Sequence, residues 1–256
     1  MKEKLTLIKV GGKIVEEPDS LSALLTAFTG IEGRKVLVHG GGRSATRLAA
    51  QLGIESRLVG GRRITDADTL RVVTMVYGGL VNKQIVAALQ ARGVCALGLT
   101  GADMDVIRST KRPVGEVDYG FVGDVTRVDA RRLATLIDSG VVPVVAPLTH
   151  DGQGQLLNTN ADTIAGELAK ALAQVYEVTL VYCFEKAGVL RDEADDTSVI
   201  PTLSAPDFPR LVQEGIVKGG MIPKIQNALQ AIEAGVARVI ITQASALGTG
   251  GGTIIG

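Results

Sequence analysis

Short apolar runs alternate with helix-like runs along nearly the whole chain, and that alternation limits the fold more than any other feature. Residues 5–10, 36–39, 94–99, 141–146, 178–183 and 238–242 read as strands, with 253–255 as a closing strand. Between them, 19–29, 43–52, 129–138, 160–172, 205–214 and 221–234 read as helices. The first of these places Leu21, Leu24, Leu25 and Phe28 on one face, with Asp19 as its cap. Strands that are apolar almost throughout, each followed by a helix, predict an α/β fold with a mainly parallel sheet covered on both faces. Residues 66–77 and 80–91 form one helix, or two joined at Gly78-Gly79. The stretch 104–125, with Gly115, Gly120 and Gly123 among alternating residues, interrupts the pattern and reads as inserted β-hairpins. With 256 residues and no linker-like segment, the chain forms one large unit or two lobes, a lobe boundary falling near Val175.

Composition excludes several classes. Lysine plus arginine and aspartate plus glutamate each total 27, and aromatic residues make up 3% with no tryptophan. A basic nucleic-acid surface and an aromatic stacking platform are therefore absent. With 46% hydrophobic residues and no net charge, disorder is excluded, and the 32 glycines follow no collagen triplet. Cys95 and Cys183 are isolated in apolar runs and read as buried hydrophobes. His39 and His150 are too far from them for a His/Cys metal site. There is no secretory signal, and the apolar stretch 141–148, broken by Pro143 and Pro147, falls far short of a membrane span. These features predict a soluble cytoplasmic protein with neither membrane nor nucleic acid as partner.

Chemistry gathers where glycines follow strands or precede helices. Lys9 ends the first strand and is followed by Gly11-Gly12, which let backbone N–H groups approach an anion. His39-Gly40-Gly41-Gly42-Arg43 passes from strand to helix, and free N–H groups at a helix start favour anions. Its Gly-x-Gly-x-x-Ala spacing also admits a dinucleotide fold, but Gly60-Gly61-Arg62-Arg63 lies where an acidic ribose ligand belongs. His39 itself reads as a hydrogen-bonded strand-end histidine. The Arg63 fork suits a carboxylate or phosphate, as against a solvated basic turn. In Asn158-Thr159-Asn160-Ala161-Asp162, capping accounts for Asn160 and Asp162 but not for Asn158. Lys218-Gly219-Gly220-Met221-Ile222-Pro223-Lys224 sets a lysine in the first turn of a helix that glycines precede. A Walker A motif, a Gly-x-Ser-x-Gly elbow and the protein-kinase motifs are all missing.

Together and in order, these elements, with Asn82-Lys83, Val122-Gly123 and Gly252-Thr253, resemble the amino-acid kinase superfamily and, within it, the N-acetylglutamate kinases. The resemblance spans essentially the whole chain. It implies a three-layer α/β/α sandwich with an open, mainly parallel sheet. Residues 1–175 would bind the acylated amino acid and carry a dimer interface, and residues 176–256 would bind ATP. The implied reaction is phosphorylation of the side-chain carboxylate of N-acetyl-L-glutamate, the second step toward arginine. Lys9 and Lys224 would stabilise the transferring phosphoryl group, with Asp162 orienting both. Gly41, Gly42, Arg63 and Asn158 would hold the acylglutamate. Gly11 and Gly12 would lie at the phosphates, Ile216, Val217 and Lys218 would border the nucleotide, and Mg²⁺ would ride on the phosphates with no metal ligand from the protein.

A carboxylate with an ordinary pKa near ~4.3 is already the nucleophile at neutral pH, which suits a site without a general base. Relatives often follow the fifth strand with Thr/Ser-Asp-Val-x-Gly-Val; here it reads Cys183-Phe184-Glu185-Lys186-Ala187-Gly188-Val189, with Glu185 in place of the aspartate. This divergence leaves N-succinyl-L-glutamate, or the acidic substrate of a sibling kinase, as the alternative. Arginine-inhibited hexameric relatives carry an extra N-terminal helix before the first strand, so a homodimer without strong arginine feedback is expected.

Overall fold

The structure, a computed structural model, describes residues 2–219, 221–248 and 250–256. Its central sheet has eight strands in the order Thr202–Leu203, Thr253–Ile255, Arg238–Gln243, Glu177–Phe184, Lys4–Val10, Arg34–His39, Val142–Val145 and Ala96–Leu99. Every pairing is parallel except that between Arg238–Gln243 and Thr253–Ile255. Helices cover both faces, as the alternation predicts.

The two-residue period of the strands sorts their side chains into two cores. Leu5, Leu7, Val36, Val38, Leu180 and Tyr182 point to one face, against the helices Ala161–Leu172 and Met221–Glu233. Ile8, Val10, Leu37, Val181 and Cys183 point to the other, against Pro18–Thr29, Gly42–Gln51 and the long helix Ala67–Gln90. Lys9 follows Leu5 and Leu7 in this alternation, so its side chain lies on the face of Ala161–Leu172. In the central strands Val10 is level with His39 on one side and Cys183 on the other. Three carboxyl ends therefore open together into one crevice, the usual place for a ligand in an open α/β sheet.

Several elements differ from the sequence-based expectation. Residues 66–91 form one helix, but Thr74–Val81, which contains Gly78-Gly79, is π-helical. Asp66 is its cap, accepting from the Thr69 backbone N–H at 2.8 Å. This helix is long and apolar enough to cross a membrane by length and composition alone, yet Val72, Val73, Val76, Val81, Ile85 and Leu89 are buried in the core. Asp19 is not the cap of Pro18–Thr29: Glu17 holds that position, Pro18 starts the helix, and Asp19 lies in its first turn. The inserted stretch does hold an antiparallel pair, Ile107–Lys111 with Gly123–Val128. Leu148–His150 and Leu156–Asn158 join them in a second, four-stranded sheet. Gly60-Gly61 forms the turn of a ribbon in which Leu58–Val59 pairs with Arg62–Arg63. Both glycines have positive φ, 56° and 73°, as a two-residue hairpin turn demands. Both glycines thus serve the turn, and Gly61 also lines one of the cavities described below.

Candidate active site

Lys9 is buried, and its Nζ lies 2.7 Å from a carboxylate oxygen of Asp162. The partner is in place because Asn160 caps the helix Ala161–Leu172. The Asn160 side-chain oxygen accepts from the backbone N–H groups of Asp162 (2.8 Å) and Thr163 (3.2 Å), fixing Asp162 in the first turn above the strand end. Lys224 reaches the same place from the first turn of Met221–Glu233. Its Nζ sits 4.5 Å from the centre of the Phe184 ring and forms no ion pair among the described residues. Burial pushes the Asp162 carboxyl up, but the Lys9 and Lys224 cations prevail and hold it below the usual carboxylate range. Burial lowers the Lys224 ammonium, with the Asp162 charge opposing. An ionised carboxylate between two lysines organises cations and is poorly suited to accept a proton. Cys183 points to the opposite face of the sheet, its thiol pushed up to about 12 by burial, while its carbonyl accepts from the Gly11 N–H at 3.1 Å. Cys183 is therefore an inert neutral packing residue, as its apolar surroundings in the sequence suggested, whereas Cys95, expected to be buried as well, is exposed.

The glycine loop after Arg34–His39 is held from below. His39 is fully buried, and burial pushes its imidazole down to about 4. In the neutral ring Nδ1–H donates to the Gly40 carbonyl at 2.7 Å, and Nε2 accepts from the Asn82 amide at 3.1 Å. Asn82 also donates to the Val144 carbonyl at 2.9 Å. Gly40 packs on the next turn: a Cβ there would meet the Gly12 nitrogen at 3.2 Å, and one on Gly41 would meet the Tyr77 ring at 2.9 Å. The two glycine turns thus touch backbone to backbone, which side chains would prevent.

Arg63 locks the loop from above. Its Nη2 donates to the Gly42 carbonyl and to Thr46 Oγ1, each at 2.8 Å, and its Nη1 donates to Ser56 Oγ at 2.8 Å. Asn158 donates to Thr65 Oγ1 at 3.0 Å, and Thr65 in turn donates to the Arg63 carbonyl at 2.9 Å.

Two cavities share a wall made of Gly12 and Gly42. One, of about 180 Å³, is lined by Gly41, Arg63 and Asn158, together with Arg62, Tyr77 and Val122. The other, of about 420 Å³, holds Gly11, Lys9 and Lys224, with Lys13, Arg43 and Glu185 at its rim. The remaining expectation, residues 216–218, lies apart. Ile216 and Lys218 line a separate cavity of about 60 Å³, the Val217 side chain is in the core, and Lys218 pairs with Glu193 at 3.0 Å. Gly220 lies outside the described residues. Tyr77, Asn82, Lys13 and Arg43 were not assigned from sequence. Asn82 and Arg43 were visible only as parts of motifs, and Tyr77 and Lys13 are ordinary helix residues until the fold turns them toward a cavity.

Among the described residues no three His, Cys, Asp or Glu side chains converge as metal ligands.

The amino acid kinase family model matches residues 4–243. This chain belongs to the amino acid kinase family. Among curated members, it is 72% identical over 255 residues to acetylglutamate kinase of Bacteroides fragilis, covering all of this chain and 98% of that protein. It is 42% identical to acetylglutamate kinase of Methanopyrus kandleri, covering 98% of this chain and all of the other. Among solved structures, smu.665 of Streptococcus mutans superimposes with a TM-score of 0.80 at 28% identity, covering 98% of each chain. The three-layer architecture inferred from the sequence is thus that of the amino acid kinases.

Proposed function

We propose that this chain is an acetylglutamate kinase: it transfers the γ-phosphoryl group of ATP to the side-chain carboxylate of N-acetyl-L-glutamate, giving the acyl phosphate and ADP. The observation that carries this reading is the Lys9–Asp162 pair with Lys224, which puts two lysines beside the larger of two adjoining cavities, where anions would meet. The smaller cavity takes the acylglutamate, near Gly41, Gly42, Arg63 and Asn158. The larger takes the phosphates, along Gly11 and Gly12. A carboxylate oxygen attacks the γ-phosphorus, the bond to the bridging oxygen breaks, and ADP leaves. No proton has to move, because the attacking carboxylate is ionised at neutral pH. The chemical task is to hold two anions together and neutralise charge spread over the phosphoryl oxygens, which two lysines and backbone N–H groups can do. Mg²⁺ would be carried by the phosphates.

In this reading the enzyme works at the second step toward arginine, in the cytoplasm. Residues 1–175 form the acyl-amino-acid lobe and residues 176–256 the nucleotide lobe, with Ile216 and Lys218 at its edge. A homodimer is supported by the outer side of the long helix, where Met75 and Leu80 are exposed. The test is an ATP-dependent hydroxamate assay with N-acetylglutamate, N-succinylglutamate, free glutamate and aspartate. Turnover of N-acetylglutamate above the others is expected. Turnover of aspartate with none of the acylglutamates would overturn the assignment.

A further inference from the structure

The rim of the larger cavity carries a charge arrangement that the reaction as described does not use. Lys13, in the short helix Gly12–Glu16, places Nζ 3.3 Å from Glu185. Arg43, in the first turn of Gly42–Gln51, places Nη2 3.6 Å from the other oxygen of the same carboxylate. Both cations come from the half of the chain before residue 175, and Glu185 follows the strand Glu177–Phe184 in the other half. All three side chains are between 40% and 62% exposed. Ion pairs of that length and exposure contribute little to stability, so holding the fold together does not account for them. Deeper in the cavity Asp162 balances Lys9, while Lys224 has no ion pair among the described residues. Lys13, Arg43, Lys9 and Lys224 thus face two carboxylates, and the surplus is positive on the side where the nucleotide phosphates would lie.

We propose that Lys13 and Arg43 are nucleotide-phosphate ligands of this chain, and that Glu185 is their place-holder, which the polyphosphate displaces. This rests on the kinase reading above. A carboxylate carries one negative charge over two oxygens, whereas a triphosphate brings several charges and many acceptor oxygens. Charge-assisted bonds to phosphate therefore outcompete the long Glu185 contacts. Because Glu185 lies opposite both cations, its release also removes this ion-pair contact across the rim as nucleotide enters.

The test is calorimetric titration of the magnesium complex of AMP-PNP, a non-hydrolysable ATP analogue, into the full-length protein and its Lys13→Met, Arg43→Met and Glu185→Gln variants. KM for N-acetylglutamate is measured in parallel, and thermal melts confirm that each variant is folded. Lys13→Met and Arg43→Met should each weaken AMP-PNP binding about tenfold, the size expected for a lost charge-assisted bond. Arg43→Lys should restore part of the loss. Glu185→Gln, which removes the competing charge, should tighten binding. KM for the acylglutamate should not follow these changes. Unchanged binding in both cation variants, or weaker binding in Glu185→Gln, would overturn the proposal while leaving the kinase reading in place. A wild-type protein that binds no AMP-PNP would overturn both.

Discussion

Lys224 is the one site lysine without a carboxylate partner among the described residues; its ammonium rests on the Phe184 ring beside the charged Asp162. Its interaction energy is thus available to a phosphoryl group, and its loss should leave packing intact. Lys224→Ala should lower kcat by about 10²–10³-fold, the range for removing one preorganised charge-stabilising donor, with an unchanged far-UV spectrum and melting curve. Activity near wild type would exclude Lys224 from the reaction. Arg63 behaves differently, because it both lines the smaller cavity and ties down Gly42, Thr46 and Ser56. Arg63→Ala should raise KM for the acylglutamate far more than for ATP. It should also lower stability by roughly 2–3 kcal/mol, since buried partners are left unmatched.

His39 gives a pH signature. The group titrates near ~6.5 in an unfolded chain and at about 4 in the folded one. Between these values the unfolded state binds the extra proton, so stability is full above about pH 6.5 and falls as pH drops toward 4. A shift of this size corresponds to roughly 3 kcal/mol. Urea midpoints measured from pH 7.5 to 4 should show the fall in wild type and a flatter line in His39→Gln. Parallel lines would mean that other groups carry the acid sensitivity. Of these residues, Lys224 and Arg63 could be named from the sequence through the family resemblance, since a lysine in the first turn of a helix, or an arginine after two glycines, can equally be a solvated surface residue. The role of Asn82 could not, because it depends on a histidine 43 positions away.

Elements with strong local signals stand where the sequence puts them. Ala161–Leu172 has its Asn160 cap, and Ala130–Asp138 has Asp129, which accepts from the Arg132 N–H at 3.1 Å. Asn160→Ala should cost about 1 kcal/mol, as cap losses do. Because the same cap sets Asp162 against Lys9, the variant should also lower kcat; a stability loss with unchanged turnover would separate the two roles. The elements missed in the sequence are short or set by tertiary contact. Gly12–Glu16 has five residues and Thr202–Leu203 two, too few for a period to show. The π-helical stretch Thr74–Val81 has the same apolar side chains as an α-helix. Its widened turn has to be seen in space, where it sets Tyr77 against Gly41.

At the scale of the molecule, one mainly parallel sheet runs through residues from both halves, so the inferred lobes share a backbone-bonded core at Lys4–Val10 and Glu177–Phe184. Relative motion between them must bend this sheet or occur beyond the strand ends, where the glycine turns lie. The long helix leaves Met75 51% and Leu80 54% exposed, and Met75 lines a groove with Gly154, Gln155 and Leu156. Light scattering should give twice the 26.7 kDa chain mass, and Leu80→Glu should return it toward the single-chain value. A single-chain mass in wild type would remove the dimer from the proposal.

Thr253–Ile255 is inserted between Arg238–Gln243 and Thr202–Leu203. While the polypeptide is still leaving the ribosome, the strand Arg238–Gln243 therefore presents an open row of amide and carbonyl groups. The two-residue strand Thr202–Leu203 has nothing to dock on until residue 255 has emerged. Such an edge invites pairing with a neighbouring nascent copy. Until Thr253–Ile255 pairs there, the edge of Arg238–Gln243 is a point at which the folding chain is prone to aggregate.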